Sequence, residues 1–463
     1  MRLAPMSPII DPNEGFTPEN DLFGYSVFGD RLSKLVSSVD QPLTLLIDGP
    51  WGSGKSTFVK QWAGLLRKTG ACVIEFDAFA NDHHEDAFVA LSAEIIAVAK
   101  REFGEQEPVV SSIYDCAKKV GVALLPVAGR IAVKALTAGA LSEDDVKSFG
   151  SVAVSAFEQT GNAIAEAAER EIAERLSSAQ NERYILNRFR ETLEQLAENI
   201  AEKNSPEETD VECSESNNFP VIIIIDELDR CKPTFSLNIL ERIKHLFSVN
   251  GVVFVLVSNM IQLKASVEGA YGSNTDGLLY LEKFYDLRVT LPIDRLDRAS
   301  SSERYVFFLW ESMGLNISEG GIDETIKRQI IIISEIYGIS LRTIERIAAH
   351  AALAYAATSG NTLRLAPLIA GLAVIRQIRP DIYQKAREGR MTWRDAKDFF
   401  KFDEWPDQIR NRSEGWWRFF TDHSMKNEEM IDYSQAFVRY GFENRLSLVK
   451  WGASLIDGLS LPE

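Results

Sequence analysis

Cysteine, histidine and positive charge are all scarce in this chain of 463 residues, and each shortage removes a class of protein. Four cysteines (Cys72, Cys116, Cys213 and Cys231) are widely scattered with no CxxC pair, and there are only five histidines. Neither a zinc site nor a disulfide framework can be assembled from that spacing, and a reducing, cytoplasmic interior is the expected setting. Lys and Arg number 50 against 67 Asp and Glu, a net charge of −17. That balance argues against a broad basic face for duplex nucleic acid, because neutralising phosphates requires clustered Lys and Arg. The first residues, MRLAPMSPIIDPNEGF, are broken by proline and lack the apolar core of a secretory signal.

What is present is the composition of an ordinary globular protein, 45% hydrophobic and 25% charged. The length exceeds what one compact core usually uses, so two or three domains are expected. Residues 1–20, rich in Pro, Asn and Glu, read as a loose arm, followed by an entry helix carrying Leu32, Leu35 and Val36 at helical spacing. Leu43 to Asp48 reads as a strand, Phe58 to Leu66 as a helix, Ala71 to Phe76 as a second strand and Glu85 to Ala99 as a helix. A helical insertion over about 100–218 ends in an acidic linker from Glu202 to Asn218. Val221 to Ile225 and Val252 to Val257 then resume the sheet as strands buried on both faces. The fold class is therefore α/β, a parallel sheet of the P-loop type over 21–295 interrupted by that insertion. A helical module over 296–380 and an aromatic, loop-rich segment over 381–463 follow.

One loop carries the chemistry. Gly49-Pro50-Trp51-Gly52-Ser53-Gly54-Lys55-Ser56 fits G-x-x-x-x-G-K-[ST], directly after an apolar strand and at the opening of a helix. In such a loop the glycines let backbone N–H groups turn inward around a β-phosphate, and the helix N-terminus adds positive potential. Lys55 would bridge the β- and γ-phosphates, Ser56 would ligate Mg²⁺, and Thr57 continues the motif. The run Val221 to Ile225 ends in Asp226-Glu227, which places two acids at a buried strand's end. Asp226 would hold Mg²⁺ through water, and Glu227 would orient or deprotonate the attacking water. The expected ligands are ATP and Mg²⁺; no N-K-x-D signal for guanine occurs.

The string Ile225-Asp226-Glu227-Leu228-Asp229-Arg230-Cys231 resembles the KAP family of NTPases, in which an acidic pair is commonly followed by Leu-Asp-Arg-Cys. Tyr280-Leu281-Glu282-Lys283-Phe284, leading into Leu291-Pro292, resembles the family's aromatic-Leu-Glu-Lys element. Leu341-Arg342-Thr343-Ile344-Glu345-Arg346 resembles its paired-arginine helix, and Phe76-Asp77-Ala78-Phe79 its post-strand aromatic segment. The resemblance spans about Asp21 to His350 and departs at two points. Phe79 stands where Trp is common, and Ser258-Asn259 stands where an Asp often follows the strand. Asn259 is either a sensor beside the γ-phosphate or a strand-ending turn. Arg342 and Arg346 either reach the nucleotide, as the resemblance implies, or lie on a helix face; Arg230 and Lys283 carry the same two readings.

Relatives of this type often place membrane helices in the insertion, which makes Val120 to Leu141 a candidate span by its length. Arg130 and Lys134 near its middle cost roughly 2.5–3.5 kcal/mol each, its nine Val, Ile and Leu residues return only about 0.5 each, and Pro126 breaks the run. A helical hairpin or bundle is expected instead, the alternative being an interfacial amphipathic helix over 118–141. Near the C-terminus, Trp393, Phe399, Phe400, Phe402, Trp405, Trp416, Trp417, Phe419 and Phe420 alternate with Arg and Lys, as in a nucleic-acid stacking surface, an aromatic core or a partner-docking face. The expected activity is ATP binding and hydrolysis used as a switch or motor, acting as a homo-oligomer or with a protein partner. The resemblance implies antiphage or anti-plasmid defence. The competing reading is an ATP-dependent oligomeric scaffold or a membrane-associated partner-recruiting protein with little turnover.

Overall fold

Alternate residues of the central strands bury on opposite faces, and this two-sided burial organises the N-terminal half. In the computed structural model, which describes residues 10–39, 41–84, 86–124, 163–204, 219–292, 300–314, 322–356, 358, 365–426, 428–430, 433 and 444–457, five strands form one sheet. They are β1 (Leu43–Asp48), β2 (Val73–Asp77), β3 (Val221–Asp226), β4 (Val252–Ser258) and β5 (Leu287–Thr290), in the order β2-β3-β4-β1-β5. All four pairings are parallel. Ile222, Ile224, Val253, Val255, Leu45 and Ile47 face one side. Val221, Ile223, Ile225, Phe254 and Leu256 face the other. A strand apolar at every position is the signature of a sheet covered on both faces.

The first face is covered by α1 (Ser26–Ser37) and α2 (Lys55–Lys68), whose Leu32, Val36, Phe58 and Trp62 complete that core. The second is covered by α3 (Ala87–Phe103), α4 (Pro108–Leu124) and the end of α5 (Ala163–Asn204), with α6 (Pro233–Arg242), α7 (Met260–Tyr271) and α8 (Gly277–Leu281). α4 and α5 run antiparallel, since the Cys116 thiol meets the Thr192 hydroxyl at 3.6 Å while Lys203 pairs with Glu102 at 3.2 Å. The insertion thus contributes a layer to the sheet domain: Val110, Ile113, Ala117 and Val120 bury inward with Phe189, Leu193 and Leu196, while Lys118 and Lys119 stay exposed.

No helix among the described residues is long and apolar enough to cross a membrane. Residues 125–141 of the candidate span, 1–9 of the arm and 205–218 of the linker lie outside the described residues.

The second half is helical: α9 (Ser301–Ser312), α10 (Ile322–Tyr337), α11 (Leu341–Ala356), α12 (Ala366–Ile378), α13 (Pro380–Arg387), α14 (Trp393–Phe400), α15 (Asp407–Thr421) and α16 (Ser447–Asp457). One hydrophobic core runs from Val306 to Ile456. The end of the chain, expected to be loop-rich, is therefore mostly helical in its described part. Its start signals are local, such as Pro380 in the first turn of α13 and the capping box of Thr392 and Asp395 on α14. Phe399, Phe400, Phe402, Trp405, Trp417, Phe419 and Phe420 are buried, and Trp393 and Trp416 pack against them, so these rings fill the module's interior. Ring pairs such as Phe400 with Trp417, 4.5 Å between centroids, have the geometry of aromatic core packing. β5 carries little apolar signal of its own, and pairing with β1 makes it a strand.

Candidate nucleotide site

Parallel pairing brings the C-terminal ends of the strands to one edge, where Asp48 lies opposite Ser258 and Asp77 opposite Asp226. Crevices at that edge are the usual ligand sites of such sheets. The loop from Gly49 to Gly54 leaves β1 here and enters α2 through two left-handed residues, Gly52 at φ 76° and Gly54 at φ 88°. Glycine adopts that backbone at no steric cost, which explains both positions. The first turn of α2 then presents Lys55, Ser56 and Thr57 to a cleft of about 410 Å³, within the range of ligand pockets. Gly52, Ser53, Gly54, Asp226, Glu227, Asp229, Arg230 and Arg342 line the same cleft.

Lys55 Nζ donates to the carbonyls of Gly49 and Pro50 at 2.5 and 3.1 Å. Burial holds its pKa below the usual lysine value, opposed by the carboxylates of Asp229, Asp226, Asp48 and Glu227. A half-desolvated ammonium within a ring of acids is stabilised by any arriving anion that replaces its lost water. Burial also pushes the Asp226 carboxyl up, while the Ser56 hydroxyl, the Glu227 backbone N–H at 2.8 Å and Lys55 pull it down. Ser56 and Asp226 thus face one another across the cleft, although β4 lies between β1, which leads into the loop, and β3 in the sheet. The Ser53 hydroxyl is buried without a hydrogen-bond partner, a donor waiting for an acceptor in the loop itself.

Glu227 is one of two non-glycine residues in the described chain with positive φ, at 63°. Holding a glutamate there costs of order 1 kcal/mol, a strain that clusters at functional sites. Burial raises its pKa and Arg230, with which it forms an ion pair, lowers it. Arg230 thus pairs with Glu227, and Asp229 instead accepts a hydrogen bond from the Trp51 indole of the glycine loop.

Other expected residues sit apart. Asn259 caps α7 by accepting from the Ile261 N–H at 3.1 Å and does not line the cleft. Arg342 lines the cleft, whereas Arg346, one turn further, is exposed outside it. Lys283 lies over the Tyr280 ring at 4.9 Å, also outside.

A family model described as the KAP family P-loop domain matches residues 25–357. The chain belongs to the KAP family. No curated protein matches it. Two solved structures of the Aeropyrum pernix ORC2 protein, one as ADPNP-ADP complexes and one in the ADP form, are similar to it at 13% and 12% identity. Each covers 97% of this chain and 96% of its own, at TM-scores of 0.34 and 0.35. Family membership and sheet order together make this a P-loop nucleotide-binding fold.

The KAP cleft also contains residues that motif reading did not mark as site residues. Asn20 reaches it from the end of the arm, Phe23 and Tyr25 from the segment just before α1, Tyr305 and Phe308 from α9, and Glu345 from α11. Glu345 lies inside the Leu341 to Arg346 motif, so a signal existed for it. For the segment before α1 and for α9 there was none, because only the folded chain brings them to the glycine loop.

Proposed function

We propose that this KAP-family chain binds ATP with Mg²⁺ and hydrolyses it slowly, as a gated switch or motor. The observation that supports it most is the meeting of Lys55, Ser56, Asp226 and Glu227 in one cleft beneath the glycine loop. The residues suit the group: a serine hydroxyl and a buried carboxylate lining one cleft are hard oxygen ligands, and Ser56 and Asp226 would hold the ion. Mg²⁺, when bound, would neutralise charge on the phosphate oxygens.

The chain's own residues account for the rest. Lys55 swings from the Gly49 and Pro50 carbonyls to the β- and γ-phosphates, and the loop N–H groups and Ser53 hydroxyl bind phosphate oxygens. Glu227 takes a proton from water as its oxygen bonds to the γ-phosphorus, and the bond from that phosphorus to the β-γ bridging oxygen breaks, leaving ADP and phosphate. Arg342, at the cleft wall, supplies positive charge there. Asn259 and Arg346 reach the nucleotide only if the cleft closes further.

The Glu227–Arg230 pair favours gating, since the base is held by a cation until a partner or a second copy of the chain redirects Arg230. That same pairing is the observation behind the competing reading, an ATP-dependent scaffold with little turnover. Phosphate release from ATP by wild type, Lys55→Ala and Glu227→Gln separates the two. Turnover lost in both variants, with ATP still bound by Glu227→Gln, is the expected result. A wild type that binds ATP tightly yet releases no phosphate under any condition favours the scaffold. The family's setting in antiphage or anti-plasmid defence extends the proposal to the cell, where equal plating efficiency for wild type and Lys55→Ala would remove it.

A further inference from the structure

The cleft has two chemically different ends. Gly52 to Thr57, Asp226, Glu227 and Arg342 make the first polar and charged. The second is walled by Phe23 and Tyr25, just before α1, and by Tyr305 and Phe308 of α9. These four rings form a continuous ladder, with centroids 5.5 Å apart for Phe23 and Tyr25, 6.1 Å for Phe23 and Tyr305, and 6.2 Å for Tyr305 and Phe308. Phe23, Tyr305 and Phe308 are only half-buried and so keep ring surface open to the cleft.

The two long helices of the cleft give it direction. α2 meets the first end with Lys55 to Thr57 and continues one turn later with Phe58 and Gln61. α11 meets Gly52 with Arg342, whose Cβ is within 3.0 Å of where a Cβ on Gly52 would be, and passes Glu345 one turn on to Tyr305. The Tyr305 hydroxyl donates to the Glu345 carboxylate, which fixes the ring's orientation. The segment before α1 is fastened as firmly: Gln61 Nε2 donates to the Asn20 carbonyl at 2.6 Å, and Asp21 accepts from the Tyr25 and Ser26 N–H groups at 2.7 and 3.0 Å.

We propose that this aromatic wall is the base subsite: the purine ring of the nucleotide whose phosphates lie at the glycine loop stacks on Phe23 and Tyr305. The inference rests on the nucleotide reading above and adds to it the residues that select the base. An aromatic platform gains affinity from the π-face of a base, and more from a two-ring purine than from a pyrimidine. Because Phe23 belongs to the sheet domain, just before α1, and Tyr305 to the helical module, a stacked base bridges the sheet domain and the module.

The test measures, by calorimetry on the full chain with Mg²⁺, the affinities for ATP, CTP and inorganic tripolyphosphate in wild type, Phe23→Ala, Tyr305→Ala and Tyr305→Phe. Wild type should bind ATP at least about fivefold more tightly than CTP. Phe23→Ala and Tyr305→Ala should each weaken ATP by about fivefold to a hundredfold, the range of one base–aromatic stack. They should leave tripolyphosphate unchanged and bring the ATP to CTP ratio toward one. Tyr305→Phe, which keeps the ring, should bind ATP within about threefold of wild type. Equal loss of ATP and tripolyphosphate in the alanine variants, or unchanged ATP affinity, overturns the base subsite. So does a wild type indifferent to base, a measurement that needs no variant to fold. A wild type that binds neither ATP nor tripolyphosphate overturns the nucleotide reading itself.

Discussion

Glu227 concentrates the conflict at the centre of the site. Its backbone sits at φ 63°, its carboxyl is pushed up by burial, and its nearest cation is Arg230. In the proposed reaction Glu227 is the general base and works ionised, so turnover should rise with pH through the Glu227 pKa. Burial moves that limb toward higher pH than a free glutamate would show, and Arg230 moves it back. Arg230→Ala therefore should shift the acid limb of kcat to higher pH; a limb that stays in place or moves down would mean that another group titrates. At this scale the sequence was largely legible, because Gly52, Gly54, Lys55, Ser56, Asp226 and Glu227 stand in fixed spacings that only a few chemistries use. The partner of Arg230 was not legible, since Glu227 and Asp229 both lie within three residues of it and the nearer one along the chain is not the one it pairs with.

The elements follow periodicity where one face decides their fate. β3 and β4 announce themselves by unbroken apolar runs, α10 and α11 by apolar stripes, and α12 by a stretch apolar on all sides, buried from Ala366 to Ile375. β5, with its exposed Leu287 and a length of four residues, exists through its register with β1. The aromatic stretch after Pro380 could be read as a surface or a core because ring content does not say which side water is on. Packing decides it: a Cβ added to Gly371 on α12 would lie 2.8 Å from Phe400 Cζ and closer still to Trp417. Gly371→Ala should thus destabilise the helical module by roughly 1–3 kcal/mol, the usual cost of overpacking. Denaturant unfolding should show this loss while ATP affinity of the folded protein holds; an unchanged midpoint would mean that the rings there have room.

Across the whole molecule, the sheet domain and the helical module meet at the glycine loop. The Leu341 N–H donates to the Gly52 carbonyl at 3.1 Å, so the N-terminus of α11 is hydrogen-bonded to the loop expected to grip phosphates. Any ligand that orders the loop should order α11 with it. Leu341→Pro removes that donor at the first helical position, where proline is tolerated. Saturating ATP should slow amide exchange in both the glycine loop and α11 of the wild type, and in Leu341→Pro the slowing of α11 should be smaller while that of the loop is kept. Slowing of α11 undiminished by the substitution would place the coupling elsewhere.

The sequence by itself determined the glycine loop, the buried strands and the acid pair, because each is a local pattern whose spacing already encodes backbone geometry and charge. Tertiary structure alone decided that Arg342 enters the cleft while Arg346 does not, and that Phe23 and Tyr305 stand in one wall. Those outcomes depend on contacts between residues far apart in the chain. Such contacts are set by how two cores pack against each other, which no short stretch of sequence carries.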